Sequence, residues 1–218
     1  MSRRFLLWSG LDGWRTEAVT VDFLPQGMRA SGTQVGVDPV PYRLDYALET
    51  GQEFVTQRLH VRVTGDGWAR RLGLFHDRDG WGCEAGEEGE APLPPAGGDV
   101  AALRGAMDCD LARSPLTNLM PVRRHGLDQG PGAAELLMAF VSVPDLGLHP
   151  SRQRYEHVRR NAHKAVVRYV DLGLFRGFTS ELELDRDGLV LLYPQLARRV
   201  EPETRGAPPG GRGPAKLA

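Results

Sequence analysis

The sequence has few of the residues that build disulfide frameworks or metal centres. Its 218 residues include only two cysteines, Cys83 and Cys109, and no group of cysteines and histidines has the spacing of a zinc finger. A chain of this length buries enough surface to fold without disulfides or metals. We therefore expect two free thiols in a reducing compartment, no bound metal and no cofactor.

An excess of charge of either sign is also missing. Twenty-seven Lys and Arg residues oppose 28 Asp and Glu residues, which leaves a formal net charge of −1. A surface that binds nucleic acid needs a concentration of positive charge, and this balance does not provide one. The composition therefore predicts no nucleic-acid partner.

Long apolar runs are absent as well. No segment approaches the ~18 consecutive apolar residues of a membrane-spanning helix. The apolar run near the start, Phe5–Trp8, is shorter than the roughly seven residues that the core of a signal peptide needs. We expect a soluble, cytoplasmic protein with no membrane span, and the sequence leaves its oligomeric state open.

The short motifs of common enzyme classes do not occur, including G-x-S-x-G, the P-loop, the dinucleotide glycine fingerprint and H-E-x-x-H. The acids that best fit an enzyme are Asp108 and Asp110. On a strand they would share a face about 6.7 Å apart, a separation that suits an inverting glycosidase. They are better explained as internal partners of a buried arginine. A hydrolase acting on a sugar or lipid conjugate, with one of these acids as general acid or base, remains the alternative function.

Alternation of apolar and polar residues dominates what is present. It is clearest in Tyr42–Glu49 and Phe178–Asp185, and each pattern is typical of a half-buried strand. Asp187-Gly188 is a hairpin-type dipeptide between two such segments. About a dozen strands and no helix longer than two turns predict an all-β fold, a many-stranded antiparallel β-roll or barrel that hides its edges.

The predicted β-roll forms a single domain of residues 1–200. Residues 84–99 are rich in Gly, Pro and Glu and are predicted to be a mobile loop within it. Residues 201–218 contain Pro208-Pro209-Gly210-Gly211 and are predicted to be a disordered tail.

The segment Arg113–Arg124 has the most unusual composition in the chain. Pro115 and Pro121 lie six residues apart, and each fixes its own φ and disfavours helix in the residue before it. We therefore expect extended backbone here, with a strand at residues 121–125.

A strand at 121–125 would send Arg123 and Arg124 to opposite sides. The arginine that faces the interior needs an internal acid or a ligand as its partner, because an unpaired buried charge is costly. We expect the inward residue to be Arg124, since the apolar Val122 shares its side.

Seven short segments follow one another in the order that a known family shares. They are Asp108-Cys109-Asp110-Leu111, Ser114-Pro115-Leu116-Thr117-Asn118, Pro121-Val122-Arg123-Arg124, Val143-Pro144-Asp145-Leu146, Gln153-x-Tyr155, Val167-Arg168-Tyr169 and Asp187-Gly188-Leu189-Val190. With them, residues 5–200 resemble a family of bacterial proteins described as glycolipid-binding, formerly a domain of unknown function. The resemblance implies a β-roll or barrel similar to bacterial lipoprotein-carrier folds, with an apolar cavity and no established catalytic residue.

These observations predict a protein that binds an apolar or amphiphilic small molecule, such as a glycolipid, without catalysis. A rolled sheet of about a dozen strands encloses more space than an eight-stranded barrel, so an internal cavity is expected. The arginine pair is expected to select the head group. The expected ligand-binding residues are Arg123, Arg124, Asn118, Tyr155 and Arg168.

Overall fold

The computed structural model describes residues 2–201 and contains one sheet of fourteen strands. The strands are β1 (Ser2–Gly10), β2 (Arg15–Leu24), β3 (Gly27–Gly36), β4 (Tyr42–Thr50), β5 (Thr56–Gly65), β6 (Trp68–Asp77), β7 (Gly80–Glu88), β8 (Asp108–Leu111), β9 (Ala133–Val141), β10 (Leu148–Arg160), β11 (Ala165–Asp171), β12 (Thr179–Leu184), β13 (Val190–Tyr193) and β14 (Ala197–Arg199). Their order in the sheet runs from β7 to β1 and continues from β14 to β8. Neighbouring strands are antiparallel, except that β8 and β9 are parallel.

The period-two pattern of the sequence places the core as predicted. In β4 the alternate residues Tyr42, Leu44, Tyr46 and Leu48 are buried, and the polar residues between them are more exposed. The same alternation holds along β12. The predicted all-β, single-domain fold is therefore confirmed, because one face of each half-buried strand supplies the shared interior.

The sheet rolls up but does not close into a barrel. Its edge strands are β7 and β8. The Thr56 hydroxyl at the start of β5 accepts the Cys109 backbone N–H at 3.0 Å, and the Thr56 N–H donates to the Met107 carbonyl at 3.1 Å. These contacts bring edge strand β8 across β5. Among residues 2–201, no ladder joins β8 to β7, so the fold is a β-roll.

The predicted loop at 84–99 is shorter than expected, because residues 84–88 belong to edge strand β7. Glycines obscured this strand in the sequence. Gly82 and Gly86 leave room for the side chains of Phe75 and Arg71 on β6, so apolar alternation is missing from β7 itself. The mobility of the remaining residues stays a prediction. The predicted tail lies, apart from Glu201, outside the described residues.

The largest departure from the sequence prediction is the connection between β8 and β9. Two parallel neighbours require the chain to return to the starting end of the sheet. It returns through the interior as a 3₁₀ turn, Pro115–Asn118, followed by helix α1, Leu119–Arg124. Every residue from 115 to 122 is buried. The predicted strand at 121–125 is therefore wrong.

The two prolines permit this helical segment because of where they lie in it. Pro115 is the first residue of the 3₁₀ turn, preceded by Ser114, whose hydroxyl accepts the Leu116 N–H at 3.4 Å. Pro121 lies in the first turn of α1, where the helix has no acceptor for the backbone N–H that proline lacks. Both prolines therefore occupy starting positions of helical segments, where proline does not break a helix.

This crossover, residues 112–132, fills much of the roll. Leu116, Leu119 and Met120 pack in the hydrophobic core beneath β1–β6. Val122 and Leu127 pack in a second core beneath β10–β13. Open interior space remains where the crossover leaves the end of β8, and this end of the roll holds the candidate site.

Candidate ligand-binding cavity

A cavity of about 420 Å³ lies between the start of the crossover and the ends of β9, β11 and β13. Strands β8, β9, β11 and β13 all end on this side of the roll, so residues distant in sequence meet here. Its volume lies within the roughly 300–1,000 Å³ of typical small-molecule sites. The cavity has an aromatic wall and a polar floor.

The aromatic wall consists of Phe140, Tyr169, Phe175, Phe178 and Tyr193. Ring centroids are 5.9 Å apart for Phe140 and Phe175, and 6.0 Å apart for Tyr169 with either Phe178 or Tyr193. These spacings are typical of favourable aromatic pairs. Phe175 is 60% exposed and marks the mouth, whereas Tyr169 and Tyr193 are 6% exposed and lie deep.

Asp110 supplies the carboxylate of the polar floor. Thr117 donates its hydroxyl to Oδ1 at 2.8 Å, and Gln153 donates its amide to Oδ2 at 2.7 Å. Burial raises the pKa of Asp110, and the charges of Asp171 and Asp108 raise it further, while the two hydrogen bonds lower it. The cavity therefore contains a firmly held acid with remaining acceptor capacity.

Asn118 forms the adjoining part of the floor and is held from behind. The Tyr155 hydroxyl lies 3.0 Å from Asn118 Oδ1 and 3.1 Å from Gln153 Oε1. The Asn118 amide donates to the Pro115 carbonyl at 3.2 Å. Tyr155 is 1% exposed and does not line the cavity, so it positions Asn118 and does not itself face a ligand.

Tyr193 brings a hydroxyl that has no hydrogen-bond partner among residues 2–201, although the side chain is 94% buried. Burial raises the pKa of Tyr193, and the nearby charges of Asp110 and Asp171 raise it further. The hydroxyl therefore stays protonated next to the carboxylate floor. It is available to bind a polar group that enters the cavity.

Arg124 points into the protein, but the structure does not bring it to the cavity. It forms a bidentate ion pair with Asp108, with Nη1 and Oδ1 2.7 Å apart, and the two side chains are 5% and 0% exposed. Asp108 is thus the internal acid partner expected for an inward-facing arginine. The Arg124 guanidinium and the Asp108 carboxylate bind each other in this pair. Neither residue lines the cavity.

Arg123 and Arg168 also lie elsewhere. Arg123 forms an ion pair with Asp128 at 3.2 Å and lies over the Phe54 ring. Arg168 is on the outer face of β11, paired with Glu181 at 3.1 Å. Its neighbour Tyr169 faces the cavity, as period-two alternation requires. Of the five expected ligand-binding residues, the cavity wall includes only Asn118.

Sequence reasoning missed most of the aromatic wall. Phe175 and Phe178 lie in the connection between β11 and β12, and Tyr193 lies at the end of a four-residue strand. Phe175 and Tyr193 carry no periodic signal, and the alternation that begins at Phe178 predicted only a half-buried strand, with no indication of a ligand. The one usable signal was the alternation around residue 168, which placed Tyr169 on the face opposite Arg168.

The comparisons with known proteins agree with this architecture. A family model described as "Putative glycolipid-binding" matches residues 5–199. A crystal structure of a DUF1089 family protein from Pseudomonas aeruginosa, at 1.80 Å resolution, is 26% identical to this chain. The similarity covers 84% of this chain and 92% of that one, with a TM-score of 0.65. No curated protein matched the chain.

Within residues 2–201, no helix is both long enough and apolar enough to cross a membrane. The family match extends over almost every described strand, and the solved relative shares the fold. The resemblance that the seven short segments indicated is thereby confirmed. The chain belongs to the family described as "Putative glycolipid-binding".

Proposed function

We propose that the protein binds the sugar head group of a glycolipid in this cavity, without chemically changing it, while the acyl chains leave through the mouth. The observation that carries the proposal is the combination of aromatic wall and fixed polar floor. Sugar hydroxyls need a carboxylate, amide or hydroxyl partner, and the flatter faces of a sugar ring are apolar. Asp110, Asn118 and Tyr193 meet the first need, and the aromatic rings meet the second.

The depth of each group supports this orientation of the ligand. Asn118 and Tyr193 are each 6% exposed, whereas the aromatic side chain at the mouth, Phe175, is 60% exposed. Polar partners are therefore deep and an apolar surface is near solvent. A volume near the lower end of small-molecule sites also favours a head group over a whole lipid.

Binding of a soluble glycoside tests the proposal. Titration calorimetry would compare octyl glucoside, below its micelle concentration, with octanol, which has the chain and lacks the sugar. Asp110→Asn is expected to weaken glucoside binding by roughly 10- to 100-fold, because a hydrogen bond to a charged group contributes about 1.5–3 kcal/mol. Asp22→Asn, at an exposed carboxylate paired with Arg3, is the matched control and should bind as the wild type does.

Two results would contradict head-group binding. The first is wild-type protein that binds octanol as tightly as the glucoside. The second is an Asp110→Asn variant that remains folded and keeps full affinity for the glucoside.

A hydrolase remains the second candidate, because burial gives Asp110 the raised pKa that a general acid needs. Its intended partner, Asp108, is occupied by Arg124. Asp171 is occupied too: its carboxylate accepts N–H groups from Gly173 and Phe175 and the Tyr169 hydroxyl. Turnover of a nitrophenyl glycoside by the wild type, abolished in Asp110→Asn, would favour the hydrolase.

A further inference from the structure

Large apolar side chains are exposed around the mouth of the cavity. In the connection between β1 and β2, Leu11 is 47% exposed and Trp14 is 66% exposed. In the connection between β11 and β12, Leu174 is 43% exposed beside Phe175. Asp12 and Phe175 line the cavity, so both connections border its mouth. This apolar surface contributes little to the core.

A third connection adds to the same surface. Val37, between β3 and β4, is 47% exposed, and the next residue, Asp38, pairs with Arg113, which lines the cavity. Five of the ten large apolar side chains exposed within residues 2–201 thus lie at this end of the roll. We call these five the mouth ring: Leu11, Trp14, Val37, Leu174 and Phe175. Clustering of this kind marks an interaction surface.

The loop that carries two members of the mouth ring is fixed in its exposed position. Asp171 Oδ1 accepts the backbone N–H of Gly173 at 2.8 Å and that of Phe175 at 2.9 Å. The Asp171 carbonyl accepts a further N–H, from Gly177. The apolar side chains are therefore held outward by a buried carboxylate that stabilises the loop.

The charges beside the mouth ring favour an anionic partner. Asp12 is paired with Arg15 at 2.7 Å, and Asp38 is paired with Arg113 at 3.2 Å. Arg176 is exposed next to Phe175 and has no acid within ion-pair distance among residues 2–201. The five groups Asp12, Arg15, Asp38, Arg113 and Arg176 sum to a charge of +1, while the acids Asp110 and Asp171 lie deeper and each accepts hydrogen bonds from neighbouring groups.

We propose that the mouth ring docks the protein on an anionic lipid bilayer, with the opening of the cavity against the lipid head groups. Trp, Phe and Leu side chains beside an arginine are the composition of surfaces that insert into the membrane interface. The inference rests on the proposed function. A glycolipid whose sugar enters the cavity keeps its chains at the mouth, and a bilayer would receive them there.

Co-sedimentation of the full chain with vesicles tests the docking. One set contains phosphatidylcholine and phosphatidylglycerol, the other phosphatidylcholine alone, and neither contains glycolipid. Wild-type protein is expected to bind the anionic vesicles more tightly and to release them in high salt. The double variant Trp14→Ser/Leu174→Ser is expected to lose binding by about tenfold or more, because both apolar side chains leave the interface.

Matched control variants lie away from the mouth. Phe5→Ser removes a side chain that is 68% exposed, on the outer face of β1. Arg58→Glu reverses an exposed arginine near the start of β5, at the opposite end of the roll, for comparison with Arg176→Glu. Only the mouth variants should weaken vesicle binding. A thermal melt of each variant verifies that all remain folded.

The failure of docking and the failure of the proposed function give different results. Neither Trp14 nor Leu174 lines the cavity, so their double variant should keep its affinity for methyl glucoside, which places no chain at the mouth, and Asp110→Asn should keep its affinity for vesicles. Wild-type protein that binds the glucoside but not the anionic vesicles would overturn docking alone. Docking would also be overturned if Phe5→Ser lost as much vesicle binding as the mouth variants. The same holds if the wild type formed a dimer that the Trp14 substitution abolishes, because the dimer contact would then account for the exposed apolar side chains.

Discussion

The two halves of the sheet differ in what they bury. The interior of β1–β7 is largely aliphatic, with Leu44, Leu48 and Leu59 at 0% exposure. The interior of β8–β14 also buries polar groups such as Asp108 and Gln153, together with most of the cavity. The first half is a scaffold built by simple alternation, and the second half accommodates the polar chemistry of a site.

Three of the polar side chains that the first half buries connect it to the second half. Arg15 donates to the Leu196 carbonyl at 2.9 Å, and Arg70 donates to the Asp145 carbonyl at 2.8 Å. Glu17 accepts the Ser114 hydroxyl at 2.7 Å. Polar residues in a mostly aliphatic core therefore mark the seam along which the scaffold holds the cavity-bearing half.

The largest expected effect comes from the ion pair buried in the second half. Asp108→Asn should lower the free energy of unfolding by roughly 3–5 kcal/mol, because it leaves the Arg124 guanidinium buried without a partner charge. Asp22→Asn breaks an exposed pair in the first half and should cost at most about 1 kcal/mol. Urea denaturation measures both. If both variants lost less than about 1 kcal/mol of unfolding free energy, the buried pair of the second half would be no more important for stability than an exposed pair of the first.

How much the sequence could predict also differs between the halves. Alternation identified the strands of the first half, because each strand buries one face and exposes the other. The edge strand β7 was not predicted. Side chains from β6 lie over Gly82 and Gly86, so β7 has no apolar face of its own that alternation could reveal.

In the second half, the sequence predicted the partners of a buried ion pair correctly but the backbone conformation wrongly. The pairing of an inward Arg124 with a nearby Asp was foreseen, but on a strand that is in fact a helix. The parallel pairing of β8 with β9 was not foreseen, because it depends on tertiary contacts of a four-residue strand. The sequence predicted an internal cavity but not the residues that line it, since the wall combines loop residues such as Phe175 with strand ends such as Tyr193.

The next largest effect concerns Glu17, which lies at the contact between the two halves and is 1% exposed. Burial raises the pKa of Glu17 from 4.5 to about 7, although hydrogen bonds from Tyr46, Ser114 and Gln34 lower it. Between these two pH values the native state holds a proton that the unfolded state has released. The free energy of unfolding therefore falls as pH rises through this window, and the loss is complete above pH 7.

Glu17→Gln has no ionisable group at this position, so the variant is the reference for the pH dependence of the wild type. Relative to the variant, the wild type should lose about 3 kcal/mol of unfolding free energy between pH 4.5 and pH 7. Denaturant unfolding of both proteins across this range measures the difference. Parallel curves would show that the Glu17 carboxyl ionises as freely in the native state as in the unfolded one.

The smallest expected effect is that of removing a single tyrosine hydroxyl. Comparing Tyr193→Phe with Tyr42→Phe separates an effect on ligand binding from an effect on stability. Tyr193→Phe removes a cavity hydroxyl that has no partner within residues 2–201, so the free energy of unfolding should change by less than about 0.5 kcal/mol. Affinity for octyl glucoside should fall about three- to tenfold, as expected for one neutral hydrogen bond. The Tyr42 hydroxyl, buried in the first half beside Arg113, gives the comparison variant. Tyr42→Phe should not weaken glucoside binding, because Tyr42 does not line the cavity. Equal affinity losses in both variants would mean that the scaffold half shapes binding as strongly as the cavity-bearing half.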